Sequence, residues 1–272
     1  MTMRKIEYMT ETSQEEEKKA EIFESQQEMM GEIYQYGFSE YIKNNLDKNQ
    51  LKDAFDSNTH KAYGKYCMCV GCMDERLEEK AQKHSAGSGV LLSEKERKEY
   101  FDEVKPDAIS WHKGCGAVAL YCKQNGISED IDAYAQKYAE VQAAKLDVDC
   151  IEIKINNPEF HYARVCYYDG IGNFNFKGNS KWPEGFIVGR KDMGKDRSIE
   201  ECKVAKDIIF GHHGFGPELL TKENPFLYVA IAKTQEDLKI LKDELSQTVN
   251  SLGEEFDGKI KIDGFVALQN KK

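Results

Sequence analysis

Tyr66-Cys67-Met68-Cys69-Val70-Gly71-Cys72-Met73-Asp74-Glu75-Arg76 is the stretch from which the fold is read. Tyr66 to Gly71 is a short apolar run ending at glycine, the pattern of a strand buried on both faces. Its carboxyl end opens onto Cys72 and Asp74. A second run of this kind follows a charged helical stretch around Glu94 to Val104. Pro106 restarts the chain there, and Asp107-Ala108-Ile109-Ser110-Trp111 reads as a strand ending at His112. Gly114 to Tyr121 then looks like a tight turn feeding a helix. Strand, helix, strand, helix predicts an α/β fold with a mostly parallel central sheet flanked by helices.

Further along the chain, Ser128 to Leu146 is rich in Ala and Tyr and reads as helix, while Cys150 to Ile155 and Ala163 to Phe176 read as strands. Lys177 to Arg197, rich in Gly and Lys, reads as a loop. Phe226 to Ala232 is a further strand, Thr234 a helix N-cap, and Leu238, Leu241, Leu245, Val249 and Leu252 a helix stripe stopped by Gly253. Lys259 to Leu268 closes with a strand. Towards the amino terminus, Ser13 to Asp56 is polar, lacks proline and sets Ile22, Met29, Met30 and Ile33 at helical spacing, as in amphipathic helices. The expected organisation is a helical N-terminal arm over residues 1–60, a core over 61–176, and a C-terminal strand-helix-strand extension over 177–272 packed on that core. The sequence shows no internal repeat.

The chain has 272 residues, ample for a buried core. With 38 Lys and Arg against 48 Asp and Glu, its formal charge is -10, which argues against a nucleic-acid partner, because phosphate binding needs clustered cations. Met1 to Lys19 has no apolar signal region, and no run is long enough to cross a membrane, so a cytoplasmic protein with no membrane partner is expected. In a reducing compartment its eight cysteines should be thiols or metal ligands.

Two motifs stand at the ends of the two predicted strands, Cys72-Met73-Asp74-Glu75-Arg76 and His112-Lys113-Gly114-Cys115. Sites in open α/β sheets form beyond the carboxyl ends of strands, where residues distant in sequence converge. Two thiolates and an imidazole suit zinc, and three protein ligands leave a fourth tetrahedral position for water. Cys115 is expected near the first turn of a helix, where free amides favour the thiolate. Asp74 is close enough to accept a hydrogen bond from a metal-bound hydroxide, and Arg76 could hold that carboxylate.

Cys-x-Asp-x-Arg followed by His-x-x-Cys-Gly resembles the pattern of the β-class carbonic anhydrases. His84-Ser85-Ala86-Gly87-Ser88 resembles that family's Ala-Gly loop, and Tyr167-Tyr168-Asp169 its late strand, so the likeness spans about Tyr66 to Phe176. The resemblance implies that Cys72, His112 and Cys115 ligate Zn2+ and that Asp74 and Arg76 form a catalytic dyad. It implies reversible hydration of carbon dioxide to bicarbonate, with a homodimer as the basic unit. Ala86, Gly87 and Gly116 are the expected substrate pocket. The sequence departs from the pattern in Glu75, in an Ala-Gly loop without its Arg and Asn, and in a short interval from Cys72 to His112. Carbonyl sulfide or carbon disulfide as substrate, and a non-enzymatic zinc protein or bicarbonate sensor, therefore stay open.

A closed structural site built from Cys69, Cys72, His112 and Cys115 is the competing metal reading. Cys67, Cys69, Cys122, Cys150, Cys166 and Cys202 read as buried apolar thiols. His84 is a candidate proton carrier or an ordinary loop histidine, His212-His213 a loop pair rather than a second metal site, and His60 and His161 carry no signal.

Overall fold

A computed structural model of the chain describes residues 3–56, 65–78, 82–156, 160–176 and 179–267, with only the backbone for 3–13. The chain is α/β, and its strands divide between two four-stranded parallel sheets. The first contains β1 (Cys69–Gly71), β2 (Lys83–His84), β3 (Ala108–Trp111) and β4 (Asp149–Glu152), in the order β2-β1-β3-β4. The second contains β5 (Val165–Asp169), β6 (Gly185–Val188), β7 (Phe226–Ala232) and β8 (Ile260–Val266), in the order β6-β5-β7-β8. The second sheet thus repeats the strand order of the first. β5, which lies within residues 61–176, pairs with strands of the 177–272 segment rather than with β4.

Capping chemistry explains the helix bounds. Ser93 and Glu96 form a reciprocal capping box that starts Glu94–Val104, and Lys105 in the left-handed region ends it just before Pro106. The Thr234 hydroxyl accepts the Asp237 amide and starts Gln235–Asn250.

The stretch read as a loop, Lys177 to Arg197, instead holds β6 and the short helix Arg190–Met193, and Lys195–Phe210 begins at its end. Four apolar residues, Gly185 to Val188, suffice for a strand because all four are buried in a parallel sheet. Their glycine- and lysine-rich flanks conceal them in the sequence.

Side chains along the strands alternate between faces. In the second sheet, Val165, Tyr167, Leu227, Val229 and Ile231 meet Met30, Ile33, Phe38, Tyr41 and Ile42 of the N-terminal helices, with Trp182 and Phe174 between. The opposite face, with Cys166, Tyr168, Tyr228 and Ala230, packs on Cys202, Ala205, Ile209, Leu241 and Leu245. That cluster continues through Cys69, Cys72, Ala108 and Cys115, so one apolar core joins the two sheets. The N-terminal helices are therefore a wall of the second sheet.

The seam between the halves also carries polar contacts. Ile187 N donates to the Met73 carbonyl at 3.3 Å, and Lys83 donates to the Gly172 carbonyl and pairs with Asp192 at 2.8 Å. Among the described residues no helix is long and apolar enough to cross a membrane.

Candidate metal centre

In the first sheet the chain leaves β1 towards β2 on one side and reaches β3 on the other. The crevice between the carboxyl ends of β1 and β3 is thus a topological switch point, where α/β sheets place their sites. The first residue beyond β1 is Cys72, the first beyond β3 is His112, and Cys115 is the N-cap of the helix Gly116–Gln124. One ligand atom from each lies within 4.8 Å of the others, and all three residues are buried. The two sulfurs are 4.0 Å apart.

In the second sheet the corresponding first residues are Gly170 and Lys233, and the corresponding N-cap is Thr234. That half repeats the topology without the donors.

His112 supplies the test of whether a cation fits. Its Nδ1 lies 2.9 Å from the Lys113 carbonyl, a contact that assigns a proton to Nδ1 and makes Nε2 the nitrogen that binds a cation on losing its own proton. Nε2 is buried and has no hydrogen-bond partner among the described residues, yet it faces the two sulfurs. An unpartnered buried nitrogen is unfavourable, and a cation shared with Cys72 and Cys115 would satisfy it. Sulfur and nitrogen donors of this kind match zinc.

The electrostatics agree. The Cys115 thiol is lowered by the Cys72 thiol beside it and by the Val118 and Ala117 amides of the helix start, against the effect of burial. Cys72 is correspondingly raised by Cys115 and by burial. Burial disfavours a charged His112, but the Cys72 sulfur and the Asp74 carboxylate outweigh it and push the imidazole up to about 9. Binding a cation here displaces these protons.

Arg76 grips Asp74 with two charge-assisted bonds, Nε to Oδ1 at 2.9 Å and Nη2 to Oδ2 at 2.7 Å, and its main-chain N–H adds a third at 2.9 Å. Asp74 Oδ2 stands 3.7 Å from His112 Nε2, which sets the carboxylate beside the three donors. Burial would raise the Asp74 carboxyl, but His161, Arg76 and His112 hold it well below the usual carboxylate range.

Ala86 and Gly87 are buried on the turn Ala86–Gly89 behind Cys72, and the Gly87 N–H donates to Cys72 Sγ at 3.2 Å. Gly116 follows Cys115 and faces Ile208 of the helix Lys195–Phe210. Cys69 stays out of the cluster, with its thiol on the Val70 carbonyl at 3.7 Å. Cys67, expected to be buried, is exposed because it precedes β1, and Cys150 is half-buried. His84 is buried with Nδ1 3.4 Å from the Cys72 carbonyl. His212 and His213 are exposed and act through their carbonyls, which accept from Lys19 and from the His161 amide.

Sequence reasoning missed His161. It is buried, its Nδ1 donates to Glu75 at 3.0 Å, and it lies 3.8 Å from Asp74 Oδ1. Glu75 also accepts the Tyr162 amide at 2.8 Å, and Asp74, Glu75 and His161 form a second compact group of donor atoms. The available signal was Glu75 itself, a charged side chain between Asp74 and Arg76 that needs a buried partner. In comparisons with known proteins, no family model, curated protein or solved structure matches the chain.

Proposed function

We propose that the chain is a zinc-dependent carbonic anhydrase, similar in its site to the β class, that interconverts carbon dioxide and bicarbonate. The observation that carries this reading is the placement of Cys72, His112 and Cys115 around an unpartnered imidazole nitrogen, directly beside the Asp74–Arg76 pair. Zinc, when bound, supplies Lewis acidity and a water whose pKa is near 7. Cys72, His112 and Cys115 supply the donors and exclude bulk water by their burial. Asp74 stays ionised and offers Oδ2 as the acceptor that orients a nucleophilic water. Arg76 fixes both carboxylate oxygens, so the acceptor does not rotate away. Glu75 holds His161 against the far side of Asp74 and adds a second restraint on that carboxylate.

The test is zinc analysis of the purified chain together with a stopped-flow assay of carbon dioxide hydration. Asp74→Ala should keep zinc while turnover falls by about 100-fold or more, the usual share of a positioned acid-base group. His112→Ala should lose zinc and activity together. A zinc-loaded chain that hydrates carbon dioxide no faster than buffer would refute the assignment. Release of hydrogen sulfide from carbonyl sulfide by the same preparation would move the substrate to the sulfur analogue.

A further inference from the structure

The turn that follows β2 touches the candidate centre through the Gly87 N–H, which donates to Cys72 Sγ. Its backbone is left-handed at three successive residues, with φ of +56° at Gly87, +55° at Ser88 and +91° at Gly89, and at Ser88, which is not a glycine, this is strained. A Cβ at Gly87 would lie 2.6 Å from Val90 Cγ1, so a larger residue does not fit. Backbone of this kind persists only where its surroundings over-determine it.

Two anchors do so here. Ser88 Oγ donates to the Ser110 carbonyl of β3 at 2.6 Å, within the first half. The other anchor comes from the second half. Glu201, on the helix Lys195–Phe210, accepts the Ser85 hydroxyl at 2.6 Å and the Ala86 N–H at 3.1 Å, both at Oε1. Glu201 is fully buried, its Oε2 has no hydrogen-bond partner among the described residues, and Arg197 Nη2 stands 3.9 Å from Oε1. A carboxylate so placed is unfavourable for folding unless it is well bonded. Both of its hydrogen bonds go to the turn.

We propose that Glu201 is a positioning residue of the candidate metal centre: it fixes the Ser85–Gly89 turn so that the Gly87 amide reaches the Cys72 sulfur, and so sets how that thiolate holds its cation. This rests on the reading of Cys72, His112 and Cys115 as ligands. An N–H donated to a ligand sulfur orients it and draws charge from it, and outer partners of this kind govern metal affinity by roughly 10- to 100-fold. The second half thus contributes to a centre whose donors all lie in the first.

The probe is cobalt(II) alone, titrated into the full chain as wild type, Glu201→Ala, Glu201→Gln and Ser85→Ala, with far-UV circular dichroism as the check on folding. Sulfur-to-cobalt charge-transfer absorption reports on the thiolates directly, a signature that a merely structural residue would not shift. Glu201→Ala should bind cobalt about 10-fold or more weakly with a displaced charge-transfer band, and Ser85→Ala should fall between it and wild type. Glu201→Gln keeps an oxygen for Ser85 and Ala86 and should restore the wild-type spectrum. If Glu201→Ala fails to fold, the Ser85→Ala and Glu201→Gln pair decides the matter. Wild-type affinity and spectrum in folded Glu201→Ala, or in Ser85→Ala, would overturn the proposal. A wild-type chain that takes up no cobalt would instead bring down the ligand assignment, and this inference with it.

Discussion

Replacing Arg76 by methionine keeps most of the side-chain volume and removes the guanidinium that grips Asp74. Both partners have side chains 3 % exposed, so the carboxylate is left buried with two charge-assisted bonds missing. Breaking a buried pair from one side costs about 3–5 kcal/mol. With a urea m-value of about 3 kcal/mol/M, the unfolding midpoint of Arg76→Met should drop by roughly 1–1.7 M. The double variant Asp74→Leu, Arg76→Met removes both charges. Its main remaining defect is the main-chain N–H of position 76, which loses its acceptor at a cost of about 1–3 kcal/mol; His112 and His161 lose only a carboxylate 3.7 and 3.8 Å away, beyond hydrogen-bond reach. The double variant should therefore be more stable than Arg76→Met alone. The assay is urea unfolding followed by circular dichroism at pH 7 with a chelator present, so that metal binding does not contribute. A double variant no more stable than Arg76→Met, or an Arg76→Met chain within about 1 kcal/mol of wild type, would show that the pair is not the buried, mutually compensating unit described.

Zinc stoichiometry separates the open site from a closed one: Cys72→Ser, His112→Ala and Cys115→Ser should each lose zinc, whereas Cys69→Ser should retain it, and loss from Cys69→Ser would argue for a structural centre. A pH dependence is expected at Glu244, which accepts Arg190 at 2.8 and 2.9 Å and the Tyr168 hydroxyl at 2.8 Å. Burial raises its carboxyl, but Arg190 and Tyr168 outweigh that and lower it. Because the folded pKa lies below the unfolded one, the stabilisation is complete above the unfolded value of about 4.3 and is lost as pH falls through the folded value. Glu244→Gln should cost about 2 kcal/mol at pH 7. That deficit should shrink at pH 3, and one unchanged between the two pH values would contradict the sign.

Much of the first half is legible in the sequence because its signals are local. The apolar run of β3, the Ser93–Glu96 capping box and the Cys and His residues just beyond β1 and β3 each announce themselves within a few residues. The same holds for β7 and for Thr234 before the Leu stripe. The doubled topology is not legible. β5 reads equally well as a last strand of the first sheet, and β6 is too short to stand out. The helix Lys195–Phe210 buries Ser198, Glu201 and Lys206, which blurs its apolar face. The partners of Glu75 and Glu201 lie 86 and 116 residues away, so only the folded chain brings them to the site.

The two halves meet as parts of one polypeptide, and this bears on how the centre behaves on dilution. Glu201 and His161 are tethered to the donors they support, so their encounter is unimolecular and independent of protein concentration. Were the same wall borrowed from a separate molecule, the centre would fall apart as protein became scarce. Joined covalently, it keeps its surroundings at any abundance at which the chain itself stays folded.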